Sequence, residues 1–419
     1  MKKKTNVITK IISILFVIIC TFSAPISVLA SGNLAFSVGT TYSDGINTSK
    51  DARTACDKYA IAGYKSYYST QPTVDIMTGT FKNGIKRMQS DILFFSGHGN
   101  YDHMAFNYRG LGGKYRTGIY YTDKEQIESS STGYVYSGLK NMSHVQLVTF
   151  AGCETANQDN KNITLLSCNN GAKCAVGWTT SVNAGSHTEW LERYNDKLAT
   201  GASVKNAIYY ASAFPYDDNR VKNARVYGKS ALIINTTKSI SKSKLSEIEK
   251  LKYINTPEDI NVMENNNINT SIIIDALKKE GIYLNSKDIK IEIHKITENN
   301  DFTIDLIELY NGIETNSSYI AFVEDGMLKN IVNNHKDSSS NNERKILLKM
   351  PTLLKLDTEN IFTKAKKEAT YFGATQIISQ DGKYYYDYTT NTLKYIVFTE
   401  YYFDNTTTIG VSSYEHIIW

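Results

Sequence analysis

Asp91-Ile-Leu-Phe-Phe-Ser-Gly-His98-Gly99 and, 55 residues later, Val145-Gln-Leu-Val-Thr-Phe-Ala-Gly-Cys153-Glu-Thr-Ala156 are the two stretches on which the reading of this chain turns. Each is an apolar run that stops at a small residue and then presents a reactive side chain, the pattern of a strand buried on both faces of a sheet. A histidine and a cysteine then stand at the ends of neighbouring strands. That pairing is the constellation of a cysteine nucleophile with its acid/base partner.

Around these runs, residues 33 to 235 alternate strand and helix. Leu34 to Gly39 reads as a strand, and Ser49 to Tyr64 has helical spacing, with Ser49 as cap and Asp51 in the first turn. Tyr64 to Tyr68 gives a second strand, Val74 to Met88 a second helix, and Ile92 to Ser96 a third strand. Tyr101 to Lys140, rich in Gly, Ser and Tyr, is expected to be an excursion with a β-hairpin around Tyr115 to Tyr121. After the Cys153 strand come a helix at Ile163 to Asn169, a strand at Cys174 to Trp178, a long helix from Ser186 to Tyr210 and a closing strand at Lys229 to Ile234. Strands alternating with helices predict an α/β fold, a mostly parallel sheet flanked by helices on both faces. Ligands on such sheets bind at the carboxyl ends of the strands, where His98 and Cys153 fall.

Ser96-Gly-His98-Gly99 followed by Phe150-Ala-Gly-Cys153-Glu-Thr-Ala156 resembles the caspase-like cysteine peptidases, which include caspases, clostripain, gingipains, legumain, separase and CHAT domains. Cys153-Glu-Thr-Ala156 is most similar to a CHAT domain, as are Gly171 to Trp178 and Ala199 to Ala207 downstream. The resemblance spans roughly residues 33 to 236 and implies a cysteine endopeptidase acting on a protein or peptide, without a cofactor or metal. It assigns Cys153 as nucleophile and His98 as acid/base, with the backbone N–H groups of Gly99 and Cys153 holding the oxyanion. The chemistry suits these residue types. A thiolate attacks, and an imidazole can activate the thiol or protonate the leaving amine. Gly97, Gly99 and Gly152 are expected to let the substrate backbone approach closely.

In several relatives the residue two before the cysteine lines the first substrate pocket, and here it is Ala151. Any charged recognition must then come from elsewhere: the pocket is either small and apolar or borrows a distant acid such as Asp75, Asp123 or Glu189, with Thr179 as a candidate pocket wall. His98, Asp102 and His103 offer zinc-ligand types, but their spacing matches no strong metal motif. Two other classes stay open: a caspase-like binding module that has lost activity, and a Cys/His hydrolase or acyltransferase of other specificity.

The amino-terminal segment, Met1 to Lys10, is basic, and the apolar run after it ends in Ser27-Val-Leu-Ala30, as a signal peptide over residues 1–30 would. Pro25 within that run argues against an anchor helix, and Ile19 before Cys20 against a lipoprotein. A secreted, extracellular protein with no membrane segment after cleavage is expected. Lys and Arg number 46 against 42 Asp and Glu, a net charge of +4 spread along 419 residues, which disfavours a nucleic-acid partner. Beyond the signal lie Cys56, Cys153, Cys168 and Cys174. Pairing all four would consume the nucleophile, while Cys168 and Cys174 could form one local bridge or be two small buried residues.

After Ile234 the composition changes. Residues 237–254 read as a Ser/Lys-rich linker, and two α+β units follow, 255–335 and 343–419. The first has a helix at Thr270 to Glu280 and strands at Ile289 to Ile296, Phe302 to Tyr310 and Tyr319 to Glu324, turning at Asp325-Gly326. Tyr310 to Asn316 and Val323 to Gly326 within it resemble PepSY-like units found beside secreted peptidases. The second has a helix at Thr358 to Tyr371 and strands in Tyr384 to Tyr388, Lys394 to Phe403 and Thr408 to His416. With no obvious propeptide between Ala30 and Leu34, restraint of a peptidase must come from the excursion or, as the better expectation, from intramolecular inhibition by the C-terminal region.

Overall fold

A computed structural model describes residues 33–234, 251–336 and 356–418, apart from 43–44, 74–75, 78, 108–115, 121–126, 130–133, 139–140, 255–259, 266, 372, 391 and 404–408 within them. The expected signal peptide and most of the expected linker lie outside these residues.

The first layer is built from β1 (Leu34–Val38), α1 (Ser49–Ile61), β2 (Lys65–Ser69) and β3 (Ile92–Ser96). β4 (His98–Asn100), β5 (His103–Asn107), β6 (Arg116–Tyr120), β7 (Ile127–Ser129) and β8 (Tyr134–Gly138) lead away from it. β9 (Leu147–Ala151), α2 (Ile163–Asn169), β10 (Cys174–Trp178), α3 (Ala184–Ala199), α4 (Val204–Ser212) and β11 (Ala224–Gly228) complete it. Six strands pair in the order β11-β10-β9-β3-β1-β2, all parallel except the antiparallel β11. This is the mostly parallel α/β sheet expected. Every residue of β1, β3, β9 and β10 is buried, because both faces are covered. On one face Tyr59 of α1, Trp190, Tyr194 and Leu198 of α3 and Ile208 of α4 pack together with Trp178. On the other, Phe36, Phe95 and Phe150 meet Ile163 of α2 and Met104, Phe106 and Ile119 of β5 and β6.

Several expectations are corrected. The helix expected at Val74 to Met88 does not continue past residue 78: Thr80 bridges Lys86 around a turn in which Gly84 takes φ +82°, and only Arg87–Gln89 form a short 3-10 turn. The long helix after Ser186 breaks into α3 and α4 at Gly201, φ +92°, where Ser203 caps the second piece by accepting from the Asn206 amide. The closing strand is β11 and not Lys229 to Ile234, which forms only the isolated bridge Ser203–Ile233. Gly228, φ +78°, ends the strand earlier. The hairpin expected around Tyr115 to Tyr121 contributes the strand β6, antiparallel to β5; the segment that joins the two lies outside the described residues. Thr48, not Ser49, precedes the first turn of α1.

The rest of the chain is β12 (Tyr253–Ile254), β13 (Ile260–Asn261), β14 (Met263–Glu264), β15 (Asn267–Ile268), α5 (Thr270–Lys279), β16 (Ile289–Lys295), β17 (Phe302–Tyr310), β18 (Ile313–Glu324), β19 (Met327–Asn333), α6 (Thr358–Tyr371), β20 (Ala374–Asp387), β21 (Thr392–Phe403) and β22 (Ile409–Ile417). Asp325 and Gly326, both at positive φ, make the expected turn between β18 and β19. β18 pairs with β20 through Glu314 and Thr315, so one sheet runs through both α+β segments. It continues from β22 into β4, where Ile409 stands opposite Gly99. No helix of the described residues is long and apolar enough to cross a membrane.

Candidate functional site

β3 and β9 are adjacent and parallel, with Ser96 level with Ala151, so His98 and Cys153 each stand two residues beyond that pair. Equal offsets past the carboxyl ends of neighbouring strands bring them to one place. Both line a small cavity of about 40 Å³, together with Gly97, Ala151 and Gly152 from the same two strand ends.

The Cys-Glu-Thr-Ala run is held against β10. Glu154 takes a left-handed φ of +57°, uncommon for a side-chain-bearing residue, and turns the chain sharply after the cysteine. Thr155 Oγ1 donates toward the carbonyls of Phe150 and Gly152 and accepts from the Trp178 amide, and the Ala156 amide donates to the Trp178 carbonyl. His98 is held from below: its backbone N–H donates to Tyr42 Oη at 3.0 Å, that hydroxyl donates to the Ala105 carbonyl, and the Tyr42 ring lies edge-on to the imidazole at 4.5 Å.

The glycines let the chain's own strand ends approach closely. A Cβ on Gly99 would lie 2.8 Å from the Cys153 carbonyl oxygen, and one on Gly152 would lie 2.8 Å from the Gly97 oxygen. Their small size lets the two strand ends pack on one another. The backbone of Gly99, a proposed oxyanion donor, sits against that of Cys153, flanked in the sheet by Met104 and Ile409.

Cys153 is only 5% exposed. Its Sγ points toward the Val182 carbonyl at 3.8 Å, and burial pushes the thiol up to about 12, with Glu400 and Glu154 acting in the same direction. In this form the sulfur is a thiol. All four cysteines beyond the amino-terminal segment are free, so the alternative of a Cys168–Cys174 bridge is not realised.

The C-terminal sheet forms the roof. Val411 of β22 lines the cavity, and Gly410 beside it lies so close to His98 that a Cβ there would be 3.0 Å from the imidazole Cε1. Ser181 hydrogen-bonds Glu400 of β21, Asn183 Nδ2 donates to Ser413 Oγ, and the Arg220 guanidinium lies over Phe398.

Ala151 lines the cavity, but Thr179 does not: its amide and hydroxyl are both directed to the Asn223 carbonyl. The wall comes from residues slightly further on, Val182, Ala184, His187 and Thr188. Glu189 is on the outer side of α3, near Arg193, and Asp75 and Asp123 lie outside the described residues. Asp102 and His103 pair with one another at 2.6 Å, away from the cavity.

One acid in the cavity escaped sequence reading. Asp51 of α1 is 5% exposed, accepts from Ser96 Oγ and Thr188 Oγ1, and is raised by burial to about 6. Its only sequence signal was a carboxylate in a first helical turn, which ordinary capping accounts for. Among the described residues one group has ligand atoms close enough for a metal, Glu292, His294 and Asp305, all within 4.8 Å; Lys222 occupies it by bonding Asp305.

No family model and no curated protein matches the chain. Among solved structures, an Arg-specific cysteine proteinase, gingipain R, aligns with a TM-score of 0.33 and 9% identity over 73% of this chain and 61% of that one. The complex of Porphyromonas gingivalis RgpB pro- and mature domains aligns with a TM-score of 0.29 and 11% identity over 72% and 62%. The chain thus spans less than two thirds of the length of either.

Proposed function

We propose that this chain is a secreted, caspase-like cysteine endopeptidase, with Cys153 as nucleophile and His98 as acid/base, kept closed by its own C-terminal sheet. The observation that carries the reading is the matched register of β3 and β9, which puts His98 and Cys153 at equal offsets on one cavity.

In the working form the Cys153 thiolate attacks the substrate carbonyl carbon, and the resulting oxyanion is held by backbone N–H groups at Gly99 and Cys153. His98, carrying the thiol's proton, gives it to the departing amine, leaving a thioester that water then hydrolyses. The closed form does not permit this. A thiol pushed to about 12 is almost wholly protonated near neutral pH, and Gly410 and Val411 occupy the approach to both groups. Displacement of β22 restores water and substrate access together.

The test uses the full chain and a peptide library read by mass spectrometry, before and after limited proteolysis. Cys153→Ala is expected to abolish cleavage with the fold intact, and His98→Ala to be nearly as severe. Wild-type rates in Cys153→Ala would end the assignment, and transfer of an acyl group without hydrolysis would redirect it to another Cys/His chemistry.

A further inference from the structure

Asp51 is a buried carboxylate that makes no ion pair among the described residues, the adjacent Lys50 being the one cation that acts on it, and weakly. Both of its oxygens accept from hydroxyls, Ser96 Oγ at 2.7 Å and Thr188 Oγ1 at 2.8 Å, an arrangement that suits the ionised acid, and no ion pair reaches it among the described residues. Each carboxylate oxygen can accept more than one hydrogen bond, so acceptor capacity remains. Beside it in the same cavity wall is His187, 5% exposed, whose Nε2 is buried with no partner and whose imidazole is kept neutral by burial, down to about 3. An anion and an unused ring nitrogen therefore share a wall of the cavity that also holds Cys153 and His98. Leaving such groups unpaired in a buried site is unfavourable, and buried charges are ordinarily paired.

Resting on the peptidase reading, we propose that Asp51 and His187 form the floor of the substrate pocket and select a cationic side chain, lysine or arginine, for the residue whose carbonyl Cys153 attacks. An ammonium or guanidinium supplies both the missing charge and N–H donors for the remaining lone pairs. Val411 closes this pocket in the stored form, so the subsite is open only when β22 has moved.

The experiment applies peptidyl chloromethyl ketones to the full wild-type chain. They differ only in the residue next to the electrophile: lysine, arginine, or norleucine as lysine's uncharged counterpart. Opening of β22 is common to all probes and cancels in the ratio of Cys153 labelling rates. Lysine and arginine probes are expected to label at least tenfold faster than norleucine, and Asp51→Asn to bring the ratio within twofold of one. A norleucine rate equal to that of lysine, or a preference unchanged by Asp51→Asn, overturns the assignment of Asp51 while leaving the peptidase reading standing. Labelling of Cys153 by iodoacetamide but by no peptidyl probe overturns both. Should Asp51→Asn fail to fold, the wild-type ratio decides: it must fall as pH drops through about 6, where Asp51 takes up a proton. Lys50 is the neighbouring charge on the same helix, burial keeps His187 neutral, and His98 and Cys153 act on all probes alike. A ratio that stays flat between pH 7.5 and 5 overturns the proposal.

Discussion

Gly410 offers a direct test of closure. It has an ordinary strand conformation, so a side chain is allowed by the backbone, but a Cβ would lie 2.8 and 2.9 Å from the Tyr401 ring and 3.0 Å from His98 Cε1. Tyr401 is fully buried opposite it on β21 and cannot retreat, so Gly410→Val must push β22 away from His98. Overpacking of this kind costs about 1–3 kcal/mol. Loaded onto the closed form alone, it raises the open population roughly 5- to 150-fold, since about 1.4 kcal/mol is a factor of ten. The thiol is raised from 9.0 to about 12 by its surroundings, so complete opening sets a ceiling of about a thousandfold more thiolate. The assay is the iodoacetamide alkylation rate of Cys153 at pH 8, followed by mass spectrometry, with buried Cys174 as an internal reporter of global unfolding. Gly382→Val is the control. A Cβ there meets Tyr395 of β21 and Phe362 of α6, not His98, and is expected to leave Cys153 slow. A folded Gly410→Val protein whose Cys153 reacts at the wild-type rate would refute the reasoning.

Three further outcomes are expected. Lys222 and Asp305 form an ion pair across the junction between the first layer and β17, 1% and 0% exposed, so Lys222→Met strands a buried carboxylate and should cost about 3–5 kcal/mol in urea melts, most of it recovered by Lys222→Met with Asp305→Leu. His187 titrates near 3 when folded and near 6.5 when unfolded; the unfolded chain binds its proton more readily, so this contribution is present above pH 6.5 and is lost as pH falls toward 3. His187→Gln should make the decline of Tm between pH 6.5 and 4 shallower, and an unchanged slope would show that His187 is not the group responsible. His103→Ala should retain most peptide cleavage, because His103 is engaged with Asp102 and does not line the cavity; a loss as deep as that of His98→Ala would contradict this.

The strands of the first layer were legible because continuous burial leaves an unbroken apolar run, as in Ile92–Ser96 and Cys174–Trp178, and the helices at Ile163–Asn169 and Thr358–Tyr371 matched their periodicity to the residue. Residues 74–88 misled because their apolar spacing is met equally well by a loop whose Gly84 adopts φ +82°. The break at Gly201 carried its own signal, Ser203 followed three residues later by Asn206, which the periodicity outweighed. Ala224–Gly228 is interrupted by the half-buried Arg225 and ends in an exposed glycine, so it lacks the unbroken apolar run of Ile92–Ser96 or Cys174–Trp178. His98 and Cys153 could be placed because register follows from strand ends, whereas Asp51, His187 and the covering β22 could not. Their convergence depends on tertiary packing between segments far apart, which leaves no local trace in composition or spacing.

The Ile409–Gly99 pairing also has a kinetic meaning. Its two sides are separated by most of the described chain, and contacts of long sequence separation form late because the intervening loop must first be closed. The first layer has its own core and can assemble from much nearer neighbours. Folding is therefore expected to pass through an interval in which His98 and Cys153 are already together and the roof has not arrived. How long that interval lasts is set by the docking rate of β20 to β22, so two variants with the same closed-state equilibrium are expected to differ in how long Cys153 stays open to alkylation during refolding.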